Sequence, residues 1–117
     1  MVDDELDITE TFTLALEDSG LYEVYTYNDP IVALSQFRSN FYDLALLDIR
    51  MPDMDGYELY NGIQKKDKHI KVCFISAYGI EDRTLRKQFP MLKMKCFLSK
   101  PIAIKVLLEK LETELLR

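Results

Sequence analysis

Apolar positions along this chain alternate between two periods. Residues 5–18 (ELDITETFTLALED) carry Ile8, Phe12 and Leu16 at helical spacing and end near Gly20, which predicts an amphipathic helix closed by a glycine. EVYTYND at 23–29 is rich in β-branched and aromatic residues and closes on turn formers, the pattern of a strand. Pro30 then opens a second helix at its first position, with Asp29 as the cap and Val32, Leu34 and Phe37 as core-facing candidates. Leu44, Ala45, Leu46 and Leu47 form an unbroken apolar run that ends on Asp48, as in a strand buried on both faces. A loop through Pro52 and Gly56, a helix from Tyr57 to Lys66 and a second buried strand, KVCFIS at 71–76, come next. A polar helix from about Glu81 to Gln88 stops before Pro90. KCFLS at 95–99 is a short strand, and Pro101 opens a last helix with Ile104, Leu107, Leu108, Leu111 and Leu115 on one face.

Strands alternating with helices of this length imply right-handed βαβ units, so the fold class is α/β: a parallel sheet with helices on both sides. The 117 residues are read as one domain, 1–117. At 48% hydrophobic and 30% charged, the composition is that of an ordinary globular protein. A net charge of -5 argues against a nucleic-acid surface, and Lys65, Lys66 and Lys68 read as a solvated helix end. With no long apolar stretch and no signal-peptide pattern, the expected location is the cytoplasm and no membrane partner is expected. Cys73 and Cys96 lie in apolar strand-like runs without metal-ligand spacing and are expected to be buried free thiols rather than a disulfide or zinc site. His69 precedes a strand in a charged loop with no nucleophile motif nearby, and is read as a surface residue.

Chemistry concentrates at the strand ends. Asp3 and Asp4 stand at the start of the chain, and Asp48, Ser76 and Lys100 each end a predicted strand. In a parallel sheet these ends share one edge, where ligand sites form. Singly, Asp3 and Asp4 fit a helix cap, Ser76 a turn and Lys100 a solvated strand end; their joint convergence is the informative part. Three carboxylates in one cleft repel one another and need a cation or protons. An all-oxygen ligand set favours a hard ion, Mg²⁺ before Ca²⁺ or zinc. Mg²⁺ beside a free carboxylate and a lysine suits phosphoryl chemistry, with the carboxylate as nucleophile.

VDDE at 2–5, LLDIRMPDMDG at 46–56, ISAYG at 75–79 and FLSKP at 97–101 together resemble the receiver domain of two-component response regulators, in its single-domain, chemotaxis-regulator-like form. The resemblance covers essentially the whole chain, with all four motifs in the family's order. It implies a flavodoxin-like doubly wound sheet of strand order 2-1-3-4-5. It also implies a phosphoacceptor signalling domain, not an enzyme, that takes a phosphoryl group from a histidine kinase or phosphotransfer protein with Mg²⁺ as cofactor. By this resemblance Asp48 is the phosphoacceptor. Asp4 is the direct metal ligand, Asp3 acts mainly through water, and Asp48 and the backbone carbonyl of Arg50 complete the protein's set. Ser76 takes the switch hydroxyl position, Phe97 the switch aromatic and Lys100 the phosphate-binding lysine. Tyr78 and Arg50 flank the site, beside Ala77 and Pro101, and a cis Lys100–Pro101 peptide is implied. The output is a repacking of the face made by the fourth helix, fifth strand and fifth helix.

The chain departs from the family in one place: receivers begin with a full apolar strand, and here only Met1 and Val2 precede Asp3. About four missing apolar residues would forfeit roughly 6–12 kcal/mol of burial, comparable with a domain's whole stability of about 5–15 kcal/mol. The expected origin is a start upstream of Met1, with a homodimer as a consequence that the gap allows. FPMLKMK also replaces the small turn usual before the last strand, which bears on the length of the fourth helix. Among rivals, a haloacid-dehalogenase-type phosphatase wants a second Asp where Arg50 stands, and a nucleotide-binding module wants a Gly-rich loop where the chain is acidic. A receiver-like interaction module independent of phosphorylation stays open as the alternative.

Overall fold

The apolar run Leu44–Asp48 forms β1, and its residues alternate between two cores. Ala45 and Leu47 pack on one side of the sheet, Leu46 on the other, as a two-residue side-chain period requires. The computed structural model describes residues 1–76 and 96–116. Along them run α1 (Leu6–Asp18), α2 (Pro30–Gln36), β1, α3 (Gly56–Lys66), β2 (Lys71–Ser76), β3 (Phe97–Ser99) and α4 (Ile104–Leu115). The three strands are parallel in the order β1-β2-β3, with Leu46 opposite Cys73 and Phe74 opposite Phe97. Residues from α2 and α3 (Ala33, Leu59, Ile63) close one core with Leu47 and Phe74. Residues from α1 and α4 (Phe12, Leu16, Leu107, Leu111) close the other with Leu46 and Ile75. The α/β expectation is met: a parallel sheet lies between two helical layers.

Two helix starts follow from capping. The Asp29 carboxylate accepts from Ile31 N–H at 2.9 Å, with Pro30 in the first turn. Asp55 accepts from Tyr57 and Glu58 N–H, both at 2.9 Å, while Glu58 returns a bond to Asp55 N–H, a reciprocal capping box. Gly56, the first residue of α3, donates to Ile49 C=O at 2.8 Å. A Cβ there would collide with the Asp48 carbonyl oxygen and come within 2.8 Å of Ile49 Cα. The backbone thus approaches the end of β1 as only glycine allows.

Four expectations are corrected. Residues 23–29 do not form a strand; Tyr27 makes a single parallel bridge to Val2, which bridges Leu47 on its other side. Beyond that bridge the described residues offer 23–29 no further strand partner, and β propensity without a partner does not make a strand. Val32 is exposed, because α2 turns Ala33 and Pro30 inward with Leu34 half-buried. The last helix begins at Ile104 rather than Pro101, since Ala103 is still extended. Cys73 and Cys96 are joined in a disulfide and are not free thiols. Pairing of Phe74 with Phe97 brings their preceding residues side by side, with Cα atoms 4.6 Å apart, within bridging distance. The predicted helix at 81–88, and Lys95 of the last predicted strand, lie outside the described residues.

Candidate functional site

Asp48 is the last residue of β1, and its backbone N–H is held by Val2 C=O at 2.9 Å. That bridge carries the N-terminal acidic residues to the same edge. Asp3 N–H bonds Tyr27 C=O at 3.1 Å, and Asn28 Nδ2 donates to Asp3 C=O at 2.8 Å and to Thr9 Oγ1 at 3.0 Å. Asp3 Oδ1 accepts from Glu5 N–H at 2.9 Å. From the far side of the sheet, Lys100 N–H bonds Ser76 C=O at 2.6 Å, which places Lys100 just beyond β3 and next to the end of β2. The Lys100–Pro101 peptide is cis.

These elements bring Asp3, Asp4, Asp48 and Lys100 together. Lys100 Nζ lies 3.0 Å from Asp3 Oδ2, 2.9 Å from Glu5 Oε1 and 3.5 Å from Asp48 Oδ2. Asp3 and Asp48 are buried at 0% and 3% exposure, whereas Asp4 and Glu5 face water. Burial, then the charge of Asp3, pushes the Asp48 carboxyl up to about 7 despite the opposing Lys100 ammonium. For Lys100, burial alone would lower the affinity for its proton. Contacts with Glu5 and Asp3 and the charge of Asp48 outweigh it and hold the ammonium above the ordinary lysine value.

A hard cation fits this donor set. Asp3, Asp4, Glu5 and Asp48 each offer a carboxylate oxygen, all within 4.8 Å of one another. Asp3 Oδ2 is buried with no hydrogen bond beyond its ion-pair contact with Lys100. A buried carboxylate oxygen so placed, beside a second carboxylate whose proton affinity is raised, is a site short of positive charge. All-oxygen ligation at a partly open cluster suits Mg²⁺.

Ser76 is buried at the end of β2, and Phe97 is half-buried in β3 opposite Phe74. Arg50 is exposed directly after buried Ile49, and Pro101 is exposed after Lys100. Ala77 and Tyr78 lie outside the described residues. Glu5 was not anticipated as a site residue. Its position straight after the acidic pair is the signal that could have found it, since a third carboxylate there lies within reach of the same lysine.

Comparison with known proteins agrees with this geometry. The family model described as "Response regulator receiver domain" matches residues 1–112. The chemotaxis protein CheY of Treponema pallidum is 32% identical over 117 residues, covering 98% of this chain and 80% of that protein. The cyclic di-GMP phosphodiesterase response regulator RpfG of Xanthomonas campestris is 32% identical over 103 residues, 87% of this chain but 27% of RpfG. The chain therefore spans about a quarter of that longer relative and most of CheY. Among solved structures, the non-phosphorylated HemR receiver domain of Leptospira biflexa superposes with a TM-score of 0.83 at 31% identity, covering 97% of this chain and 90% of that one. A CheY-like receiver domain protein from Methanospirillum hungatei gives 0.79 at 28% identity, covering 97% and 89%. Receiver domains are phosphoacceptor modules of two-component signalling that bind Mg²⁺ and interact with histidine kinases; they are not catalytic enzymes. The fold is the α/β, flavodoxin-like one of these proteins. With a family model spanning nearly its whole length, this chain belongs to the response regulator receiver family.

Proposed function

We propose that this domain, read as one unit over residues 1–117, is a phosphorylation-dependent switch that accepts a phosphoryl group on Asp48. The observation that carries this reading is the buried Asp48 carboxylate, clustered with Asp3 and within 3.5 Å of the Lys100 ammonium. A carboxylate oxygen of Asp48 attacks the phosphorus of a phosphohistidine on a partner kinase or phosphotransfer protein. A P–O bond forms, the P–N bond breaks, and the imidazole leaves with the electron pair. Asp4, Asp48 and the Arg50 carbonyl, with Asp3 mainly through water, would hold Mg²⁺, which would supply positive charge against the phosphoryl oxygens. Lys100 exchanges carboxylate partners for a phosphoryl oxygen, to which its point charge is suited. The Ser76 hydroxyl donates to a second phosphoryl oxygen, and Phe97 turns inward behind it, repacking the face that includes β3 and α4. By the family resemblance, the sequence positions of Tyr78 and Arg50 are ones that tune how fast the aspartyl phosphate hydrolyses.

The bridges Tyr27–Val2 and Val2–Leu47 support a five-strand order of 2-1-3-4-5 in which the first two strands are reduced to single rungs. Among the described residues, these two bridges hold Val2 beside the acidic pair. No described helix is long and apolar enough to cross a membrane, and the proposed setting is the cytoplasm.

Hydrogen exchange with and without a small acyl phosphate and Mg²⁺ tests the switch. Protection is expected to change in β3 and α4, and Ser76→Ala is expected to suppress the change while leaving Asp48 labelled. Unchanged exchange on fully labelled protein would leave a receiver whose interactions do not depend on phosphorylation.

A further inference from the structure

Of the four clustered carboxylates, Glu5 alone has no part in the chemistry proposed for Asp48. It stands directly before α1 as its N-cap residue, yet its carboxylate makes no cap hydrogen bond. Asp, Asn, Ser and Thr are the side chains that cap well, and glutamate is not one of them. The Glu5 backbone is fixed on both sides. Its N–H donates to Asp3 Oδ1 at 2.9 Å, and its C=O accepts from Ile8 and Thr9 N–H at 3.1 and 3.3 Å. What can move is the side chain, which is 59% exposed.

That side chain reaches Lys100, 95 positions away in sequence. The three carboxylates around the ammonium are not equivalent. Glu5 Oε1 accepts a hydrogen bond from it at 2.9 Å. Asp3 Oδ2, at 3.0 Å, makes an ion-pair contact without a hydrogen bond. Asp48 Oδ2, at 3.5 Å, lies beyond hydrogen-bond length. The ammonium is therefore directed toward Glu5 at the exposed side of the cluster and not toward Asp48. Asp3 is fully buried and its Oδ1 is held by Glu5 N–H, so it stays in place. The Lys100 backbone is tied to Ser76 C=O, which leaves the ammonium to move by torsions of its own stem. Glu5 is the partner it has to leave.

We propose that Glu5 is a positioning residue for transfer to Asp48: it holds the Lys100 ammonium away from the acceptor until a phosphoryl group draws it off, and so slows phosphorylation. This rests on Asp48 being the phosphoacceptor. Two effects act in the same direction. The Glu5–Lys100 hydrogen bond has to lengthen as the ammonium turns toward a phosphoryl oxygen, and the Glu5 charge opposes the approach of an anionic donor. An ion pair with one exposed partner is worth little energy. Glu5 thus tunes the rate of transfer and does not decide whether it occurs.

Two variants separate contact from charge. Glu5→Gln keeps the size and removes the charge. Glu5→Asp keeps the charge, but its shorter side chain falls short of Lys100 and is of the type that caps a helix. Both variants and the parent are incubated with acetyl phosphate at saturating Mg²⁺, and label on Asp48 is followed by intact mass. Both variants are expected to take label faster than the parent by about three- to fivefold, the upper range for an exposed ion pair. A metal-free readout accompanies the rates. The ¹⁵N–¹H signal of the Lys100 ammonium, assigned by its loss in Lys100→Met, is expected to shift in both variants. Equal rates in the parent and Glu5→Gln would overturn the proposal, as would an unmoved ammonium signal. Acceleration by Glu5→Gln alone would do so too, since net charge and not the contact would then be at work. No label on the folded parent would instead refute Asp48 as the phosphoacceptor, and the role of Glu5 would fall with it.

Discussion

Lys100 Nζ lies 3.5 Å from Asp48 Oδ2, longer than a hydrogen bond but close enough for its charge to act on the carboxylate. The ammonium is instead anchored at 3.0 Å by Asp3 and 2.9 Å by Glu5. It is thus the main described counter-charge to a buried acidic pair. Lys100→Met should raise the Asp48 carboxyl further and destabilise the metal-free domain at pH 8 by about 1–3 kcal/mol, below the 3–5 kcal/mol of a fully buried pair because the lysine keeps some water. Adding Mg²⁺ should recover much of the loss. Thermal melts of both proteins with and without Mg²⁺ check this.

Asp48 makes stability depend on pH. Its carboxyl is raised from 3.8 to about 7 in the folded state, so the folded protein holds the proton more tightly than the unfolded one. Stability therefore falls as pH rises through the interval from about 4 to about 7, and the loss is complete above it. Asp48→Asn removes the ionisation. The variant should be more stable than the parent at pH 8 by about 2 kcal/mol, roughly half of the full shift, after allowing for residual solvent screening. The difference should vanish near pH 4. Denaturant melts across that range without metal measure it.

Gly56 fits where no side chain can. Because a Cβ would strike the Asp48 carbonyl oxygen and crowd Ile49 Cα, Gly56→Ala must push the start of α3 away from the end of β1. A cost of about 1–3 kcal/mol is expected from such overpacking against backbone. Mg²⁺ affinity should weaken as well, because the same shift displaces the Asp48 backbone. Chemical denaturation and a Mg²⁺ titration read the two effects.

Reduction of the Cys73–Cys96 disulfide should also lower stability. The bond closes a loop of sequence separation 23, for which restriction of the unfolded chain is worth roughly 3 kcal/mol. Both sulfurs are buried, so reduction should be slow on the folded protein and fast in denaturant. Thiol counting by mass under both conditions, with melts of the oxidised and reduced forms, checks this.

The parts of the fold set by local pattern could be read from the chain. LALLD and KVCFIS are apolar beyond what an exposed strand needs, and strand ends in a parallel sheet share one edge, so Asp48, Ser76 and Lys100 converge as expected. What escaped was set by pairing. Residues 23–29 have strand composition, but among the described residues they make only one bridge, Tyr27 to Val2. The disulfide depends on the register between β2 and β3, which spacing alone does not give. Val32 sits at a helical position that fits a core, yet the rotation of α2 is fixed by Ala33 and Pro30 packing inward. Glu5 joined the site through the long reach of Lys100, across 95 positions of sequence.

The most direct test is intact-mass analysis after incubation with a small acyl phosphate, with and without Mg²⁺. The expected result is a gain of one phosphoryl group that requires Mg²⁺, maps to the peptide containing Asp48 and is abolished by Asp48→Asn. Folded protein that gains no phosphoryl group, or gains one equally in the Asp48→Asn variant, would contradict the assignment of Asp48 as the phosphoacceptor.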